Sequence, residues 1–231
     1  MCRVVDLQRA VLAKNEAAAQ ILRTELAARG TTVVNLLSSP GSGKTALLER
    51  ELLLAQERGI PVAALTADLA TENDAERLAR SGAPVKQILT DGLCHLEADM
   101  LAGHLHNWLP EDTRLLFVEN VGNLVCPASY DLGESLRVVL ASVTEGEDKP
   151  LKYPTAFGLA QLVVVTKTDM AEPAAFDEVT FRSNVQQVNP GVEVVLTSVR
   201  SAVGAGCLLD RALAAAGGSA VHAPVMAQAR A

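Results

Sequence analysis

Residues 38–45, Ser-Ser-Pro-Gly-Ser-Gly-Lys-Thr, form a glycine-rich turn whose residue types and spacing suit the binding of phosphate groups. An apolar, β-branched segment over 31–37 precedes the turn and predicts a buried strand, and a helical pattern over 46–54 follows it. Glycines let successive backbone N–H groups point at one spot, where the helix N-terminus adds partial positive charge. A strand, this turn and a helix in this order predict a phosphate-binding loop.

The loop residues suit a nucleoside triphosphate with Mg²⁺. Lys44 would reach the β- and γ-phosphates, and the Thr45 hydroxyl would hold Mg²⁺. We expect the other contacts to the phosphates from the rest of the loop and the first turn of the helix, namely from Gly41, Ser42, Gly43 and Ala46. Ser38 stands where the full pattern has glycine. An ordinary glycine-rich turn with a surface lysine therefore stays as the alternative.

Acidic residues follow two of the predicted strands. Asp68 comes at the end of the second strand and Glu119 at the end of the fourth, and parallel sheets bind ligands at these ends. A carboxylate there can hold Mg²⁺ or orient the attacking water. We predict that Asp68 and Glu119 act with Lys44 in catalysis and that both, with Asp74 and Thr45, surround Mg²⁺. Asp74 has an alternative role as a helix N-cap, because a helical pattern follows it.

The tetrapeptide Thr166-Lys167-Thr168-Asp169 follows a buried strand and is similar to the Asn-Lys-x-Asp motif with which GTPases recognise guanine. Asp169 would accept hydrogen bonds from guanine, and the stem of Lys167 would pack over the base. Thr197 and Ser198, after the last strand, would add contacts to the base. Thr166 replaces the Asn, which leaves the strength of the guanine preference open. A strand that ends in a polar turn is the alternative.

Cys94, His95 and Cys126 are candidate ligands of a soft metal ion, because thiolate and imidazole suit Zn²⁺ and Ni²⁺. A helix predicted from His95 would favour the thiolate form of Cys94. Three ligands do not complete a tetrahedral or square-planar site, so two subunits would have to share one. The alternative is ordinary buried cysteines, which are common. Cys2 and Cys207 have no comparable neighbours.

The order of the elements predicts an α/β fold with a doubly wound, mostly parallel sheet and an N-terminal helix. Leu7, Val11, Ala18, Leu22 and Leu26 fall on one face of that helix, which ends near Gly30. We expect the helix over 1–30, a P-loop domain over 31–216 and a flexible tail over 217–231. The predicted strands cover 31–37, 60–67, 85–89, 114–118, 137–143, 161–165 and 192–196. The later helices cover 46–54, 74–81, 95–108, 174–188 and 207–216.

Composition excludes several classes of protein. The 231 residues carry a formal net charge of −7, and no basic stripe appears in the sequence, which argues against a nucleic-acid partner. It contains no apolar run long enough to span a bilayer and no secretory leader. The 4 cysteines are widely scattered and do not form a disulfide framework, which predicts a reducing, cytoplasmic setting.

Together these segments resemble the HypB family, the nickel-inserting GTPases of nickel–iron hydrogenase maturation. The resemblance extends from the first helix to about residue 216 and rests on 38–45, 68–77, 92–96, 119–127 and 147–154. The motifs predict GTP and GDP with Mg²⁺ as ligands, and we expect slow intrinsic hydrolysis because no arginine finger or catalytic Gln can be named from the sequence. The resemblance implies a site for Ni²⁺, or alternatively Zn²⁺, built from Cys94, His95 and Cys126 at a GTP-dependent homodimer interface. The implied partners are a HypA-type metallochaperone and the hydrogenase large subunit.

The chain departs from the family pattern in its first residues. Some members carry a Cys-x-x-Cys-Gly-Cys site near the N-terminus and many carry a histidine-rich stretch, whereas this sequence has only Cys2 there. We therefore expect no nickel storage and a single site in the GTPase domain.

Three other functions are weighed against this one. The related urease nickel GTPase uses a Cys-Pro-His motif, which the sequence lacks. A metal buffer whose P-loop only holds nucleotide would not turn over GTP. A small-molecule kinase would need an arginine-rich lid, and the basic residues here are scattered.

Overall fold

Seven parallel strands form one sheet in the order β3-β2-β4-β1-β5-β6-β7. The computed structural model describes residues 2–68, 73–90 and 92–228. The strands are β1 (Thr32–Ser38), β2 (Val62–Asp68), β3 (Val85–Leu89), β4 (Leu115–Glu119), β5 (Leu136–Ser142), β6 (Leu162–Thr166) and β7 (Val194–Leu196). Each lies within two residues of its predicted bounds, and the predicted α/β class is confirmed. The sheet is wholly parallel among the described strands.

Nine α-helices connect or flank these strands in the described part of the chain. They are α1 (Cys2–Ala28), α2 (Lys44–Glu57), α3 (Asn73–Ala79), α4 (Ala98–Leu105), α5 (Lys149–Lys152), α6 (Pro154–Gly158), α7 (Glu178–Val188), α8 (Cys207–Ala216) and α9 (Val225–Gln228). The prediction missed α5, α6 and α9, which are only four or five residues long. Among the described residues, no helix is long and apolar enough to cross a membrane.

Two helix starts differ from the prediction for identifiable reasons. Helix α7 begins at Glu178 rather than at 174, because the Asp177 side chain accepts hydrogen bonds from the N–H groups of Val179 and Thr180 and caps the helix there. Helix α4 begins at Ala98 rather than at His95. Glu97 has an extended backbone, with φ −110° and ψ 156°, so the segment before Ala98 is not helical.

The central strand β1 packs on both faces of the sheet. Val34 and Leu36 belong to an apolar cluster with residues of α2 and α8, whereas Val33 on the opposite face belongs to a cluster with α1 and α4. Alternation along a strand directs successive side chains to opposite faces, and burial on both faces explains the continuous apolar sequence. Since β1 lies between β4 and β5, the loop after Ser38 opens at the centre of the sheet edge.

Helix α1 buries a different face from the one we predicted. Leu22 and Leu26 are buried as expected, but Val11 is 47% exposed and Ala18 is only half-buried. The buried face instead includes Asn15 and Ala19. The Leu7 side chain lies outside the described residues.

The segment after α8, expected to be a flexible tail, contains α9 and a packed histidine. The Nε2 atom of His222 lies 2.8 Å from Oδ1 of Asn189 at the end of α7. The domain boundaries at 30 and 216, and the flexibility of the tail, stay predictions.

Candidate functional site

The glycine-rich loop connects β1 to α2 and curls through left-handed conformations. Gly41 has φ +72° and Gly43 has φ +89°, values that residues with a Cβ rarely adopt. Helix α2 begins at Lys44, so its first N–H groups face the loop. A cavity of about 460 Å³ lies over the loop and is lined by all of residues 38–46. This concave, N–H-rich surface can bind phosphate oxygens.

Glu119 lies at the centre of the polar contacts in this cavity. The Thr45 hydroxyl donates to Glu119 Oε1 at 2.6 Å, and Lys44 Nζ lies 3.2 Å from the same oxygen. Glu119 is 1% exposed, and its Oε2 has no hydrogen-bond partner among the described residues. A buried carboxylate oxygen without a partner is costly unless a cation or a donor completes it. The Glu119 carboxylate and the Thr45 hydroxyl are oxygen ligands of the kind that Mg²⁺ prefers, so they fit this ion.

The other two predicted acidic residues belong to neighbouring segments. Asp74 lies in the first turn of α3 and lines the cavity. The backbone of Asp68 ends β2, the strand that pairs with β4. The Asp68 side chain lies outside the described residues.

The tetrapeptide that resembles the guanine motif contacts the phosphate-binding loop directly. Thr166 Oγ1 donates to the carbonyl of Ser42 at 2.5 Å, and Lys167 Nζ donates to the carbonyl of Gly41 at 2.6 Å. Lys167 itself has a left-handed backbone with φ +58°. A Cβ on Gly43 would lie 3.6 Å from Lys167 Cε. The structure thus brings the end of β6 against the loop.

Asp169 is held by the segment after β7. Ser198 Oγ donates to Asp169 Oδ1 at 2.6 Å, and the Thr168 N–H donates to the carbonyl of Thr197 at 3.2 Å. The residues predicted to contact the base, Lys167, Asp169, Thr197 and Ser198, therefore lie together. The Thr166 hydroxyl contacts the loop, a role that its departure from Asn did not predict.

The candidate metal ligands come from two loops that meet. The thiols of Cys94 and Cys126 lie close enough to interact, and Cys94 Sγ lies 3.7 Å from Nδ1 of His95. The pKa of Cys94 is raised above its ordinary value, mainly by the hydrogen-bonding interaction with Cys126. Burial and the negative charge of Cys126 in its thiolate form raise it further. This corrects our expectation that a helix N-terminus favours its thiolate, because α4 begins four residues later, at Ala98.

His95 lies between an aromatic ring and a carboxylate. The Tyr130 ring stacks on the imidazole with centroids 3.9 Å apart, and Glu97 Oε1 lies 3.6 Å from Nε2. Burial raises the pKa of Tyr130, and the nearby Glu97, Cys126 and Cys94 raise it further. These contacts direct Nδ1 of His95 toward Cys94. Sequence reasoning missed Tyr130 and Glu97, although both lie within four residues of predicted ligands.

One chain does not present a complete metal site. Within the described residues, no group of three or more His, Cys, Asp or Glu side chains is arranged to hold a metal ion. Cys207 lies in the core cluster of α2 and α8, and burial raises its pKa to about 12, so it stays a neutral thiol. A site shared by two subunits stays a prediction.

Two further residues around the nucleotide cavity carried no individual signal in the sequence. Arg77 lines the cavity and donates from Nε to Glu49 of α2 at 2.7 Å. Gly122 packs on the loop so closely that a Cβ there would lie 3.2 Å from Pro40 Cα. The small residue therefore allows the segment after β4 to approach the phosphate-binding loop.

The chain is similar to known proteins over most of its length. The family model described as the CobW/HypB/UreG nucleotide-binding domain matches residues 32–196. Hydrogenase maturation factor HypB from Escherichia coli K12 is 45% identical over 202 residues, which cover 87% of this chain and 69% of the relative. A hydrogenase/urease maturation factor HypB from Helicobacter hepaticus is 44% identical over 192 residues, covering 81% and 78% of the two chains.

Solved structures agree with these relatives. HypB from Archaeoglobus fulgidus superposes with a TM-score of 0.82 at 35% identity, over 89% of this chain and 100% of that one. HypB from Helicobacter pylori in complex with nickel superposes with a TM-score of 0.77 at 37% identity, over 87% and 95%. The matched domain includes the phosphate-binding loop and the segments of Cys94, His95 and Cys126. The chain belongs to the HypB family of hydrogenase maturation factors.

Proposed function

We propose that this protein is a GTP-hydrolysing metallochaperone that delivers nickel to the hydrogenase large subunit. The observation that carries the proposal is the short segment between Glu119 and Cys126. Glu119 contacts Lys44 and Thr45 of the phosphate-binding loop, and Cys126, seven residues later, contacts the thiol of Cys94. A single segment thus connects the phosphate end of the nucleotide site to the metal ligands.

The nucleotide would change this segment through the contacts of Glu119. In the present structure Lys44 and Thr45 both contact one oxygen of the Glu119 carboxylate. A bound γ-phosphate would compete for Lys44, and Thr45, Asp74 and Glu119 would hold Mg²⁺ with Asp68. Bound Mg²⁺ would neutralise charge that develops on the phosphates. Glu119 would then reorient, and Gly122 would transmit its shift because it packs against Pro40.

The role of each residue follows from its place in the site. Lys44 stabilises the transferred phosphoryl group, while Asp68 and Glu119 orient the attacking water. Lys167, Asp169, Thr197 and Ser198 recognise guanine. Cys94, His95 and Cys126 bind Ni²⁺ as cargo, and two subunits complete its coordination in the GTP-bound homodimer.

The nickel-bound relative from Helicobacter pylori supports a nickel cargo, with Zn²⁺ as a competing ion. A HypA-type metallochaperone and the hydrogenase large subunit are the proposed partners, and the cytoplasm is the proposed location. The Helicobacter hepaticus relative has the name hydrogenase/urease maturation factor, which makes urease a second candidate client.

The test is the affinity for Ni²⁺ of the purified protein, measured with GDP and with a non-hydrolysable GTP analogue. We expect different affinities in the two states and about one metal ion per two chains in the GTP state. Cys94→Ala should lose the difference, whereas the matched variant Cys207→Ala should keep it. Equal affinities in both states would contradict control of the metal site by nucleotide.

A separate measurement of steady-state GTP turnover distinguishes an enzyme from a metal buffer. We expect slow turnover that Lys44→Ala abolishes. Nucleotide binding without any turnover would favour the buffer.

A further inference from the structure

Asn15 of helix α1 connects the two segments that carry the candidate metal ligands. Its Nδ2 donates to the backbone carbonyl of Asp131 at 2.7 Å, and its Oδ1 accepts from the backbone N–H of Ala98 at 2.9 Å. Ala98 follows His95 by three residues and Asp131 follows Cys126 by five.

The amide of Asn15 is well suited to this bridge. Asn15 is 6% exposed on the buried face of the helix. One of its partners can only donate and the other can only accept, so the two partners fix the orientation of the amide. A buried polar side chain with both bonds satisfied holds its partners in one geometry, whereas an apolar replacement would leave both backbone groups unpaired.

Helix α1 holds the second segment by further contacts. Arg23 donates to both carboxylate oxygens of Asp131, at 2.8 and 2.7 Å. Gly133 packs so tightly that a Cβ there would lie 2.7 Å from the carbonyl of Ala19. The segment that contains Tyr130, whose ring stacks on His95, is therefore docked on the helix.

We propose that Asn15 is a positioning residue of the nickel site. By bridging Ala98 and Asp131 it sets the distance between the Cys94–His95 segment and the Cys126 segment, and with it the affinity for Ni²⁺. The inference rests on the proposed function of these ligands. It also makes helix α1 a part of the metal site, so a partner that displaces the helix would lower the affinity for the cargo.

The experiment measures Ni²⁺ affinity and the nickel–thiolate charge-transfer absorption of the full chain. Asn15→Leu, similar in volume, removes both hydrogen bonds, and we expect about a 10- to 100-fold loss of affinity with a changed spectrum, as for residues that support metal ligands in general. Asn15→Asp keeps the acceptor for Ala98 but sets a carboxylate oxygen against the carbonyl of Asp131, so we expect this variant to lose affinity as well. Should Asn15→Leu fail to fold, the Asn15→Asp variant carries the test.

Three controls separate the possible outcomes. Affinity for GDP should be unchanged in both variants, because Asn15 is remote from the residues that line the nucleotide cavity. Leu26→Ala loosens the packing of the same helix without touching either bond, so an equal loss of Ni²⁺ affinity and an equal spectral change there would overturn the proposal.

Cys94→Ala distinguishes this inference from the proposed function. If Cys94→Ala abolishes Ni²⁺ binding while both Asn15 variants bind as the unmodified protein does, only the positioning role fails. If Cys94→Ala binds Ni²⁺ normally, the proposed site fails and the role of Asn15 fails with it.

Discussion

Thr166 fills the first position of the guanine motif with a side chain that serves the phosphate-binding loop. It is 4% exposed, and its hydroxyl donates to the carbonyl of Ser42 in the loop. Asp169, which would contact the base, is held instead by Ser198. At the scale of single residues, we expect the hydroxyl of Thr166 to support the loop without taking part in the recognition of the base.

Thr166→Val tests this separation, because Val keeps the shape and removes the hydroxyl. We expect affinity for both GTP and GDP to fall about tenfold, the cost of roughly one buried hydrogen bond, while the ratio of GTP to ATP affinity stays constant. Isothermal titration with the three nucleotides measures this. Thr166→Ser should restore the affinity, and a change in the GTP to ATP ratio would instead place Thr166 in base recognition.

Glu51 is a fully buried carboxylate that caps a helix remote from the nucleotide. It lies on α2 and accepts from the N–H groups of Gly206 and Leu209 at the start of α8, at 3.1 and 2.9 Å. Burial raises the pKa of Glu51 to about 7, although these two hydrogen bonds act in the opposite direction. The folded protein therefore keeps the Glu51 proton over a pH range in which the unfolded chain has released it.

The sign of the pH dependence follows from this raised pKa. Between pH 4.5 and about 7 the folded state binds one more proton at Glu51 than the unfolded state. The stability that Glu51 contributes in its protonated form is therefore fully present below pH 4.5 and is lost as the pH rises to about 7. The loss should be about 3 kcal/mol. Urea unfolding of the protein and of Glu51→Gln at several pH values measures it, and parallel pH profiles would contradict the prediction.

At the scale of elements, the pattern of the sequence was sufficient for the strands and insufficient for the starts of α4 and α7. Buried parallel strands are continuous apolar runs, so their bounds could be predicted closely. The start of α4 could not, because the N–H of Ala98 is bound by Asn15, which is 83 residues away in the sequence. The contact of Tyr130 with His95 likewise depends on how two loops are docked on helix α1, which no local pattern encodes.

The nucleotide residues and the metal residues of the candidate site differ in how much of their arrangement the sequence could predict. The nucleotide residues follow strands whose C-terminal ends meet at one edge, so topology alone brings Thr45 and Glu119 together. The metal residues depend on irregular loops, where Cys94 precedes its helix by four residues. Their residue types were visible in the sequence, but the surrounding Glu97 and Tyr130 were not.

The docking of the 126–134 loop on α1 can be tested with Gly133→Ala. Gly133 has φ +74°, and the added Cβ would lie 2.7 Å from the backbone of Ala19. We expect the free energy of unfolding to fall by about 2 kcal/mol or more, from backbone strain and from this clash. Gly30→Ala is the matched control, because Gly30 at the end of the same helix has φ +72° and open space around it. Equal losses in the two variants, measured by urea unfolding, would exclude a contribution from the close contact.

At the scale of the whole molecule, the nucleotide cavity and the candidate metal ligands lie on loops that follow strands of one sheet. The chain carries a formal net charge of −7, and its sequence contains no basic stripe. We therefore expect ligands and partners to be recognised at these two sites and on the faces around them. In the proposed function, the segment from Glu119 to Cys126 couples the free energies of binding at the two sites. Such coupling is reciprocal by thermodynamic necessity.

The last prediction concerns this reciprocity. If the GTP analogue changes the affinity for Ni²⁺ by some factor relative to the nucleotide-free protein, Ni²⁺ must change the affinity for the analogue by the same factor, typically about 5- to 150-fold. Cys126→Ala should reduce the factor to one and leave the affinity of the metal-free protein for the analogue unchanged, since Cys126 does not line the nucleotide cavity. Titrations of analogue into metal-free and nickel-loaded protein at one concentration measure the factor, with Cys207→Ala as the control that keeps it. A factor of one in the unmodified protein would show that the segment from Glu119 to Cys126 does not transmit the nucleotide state.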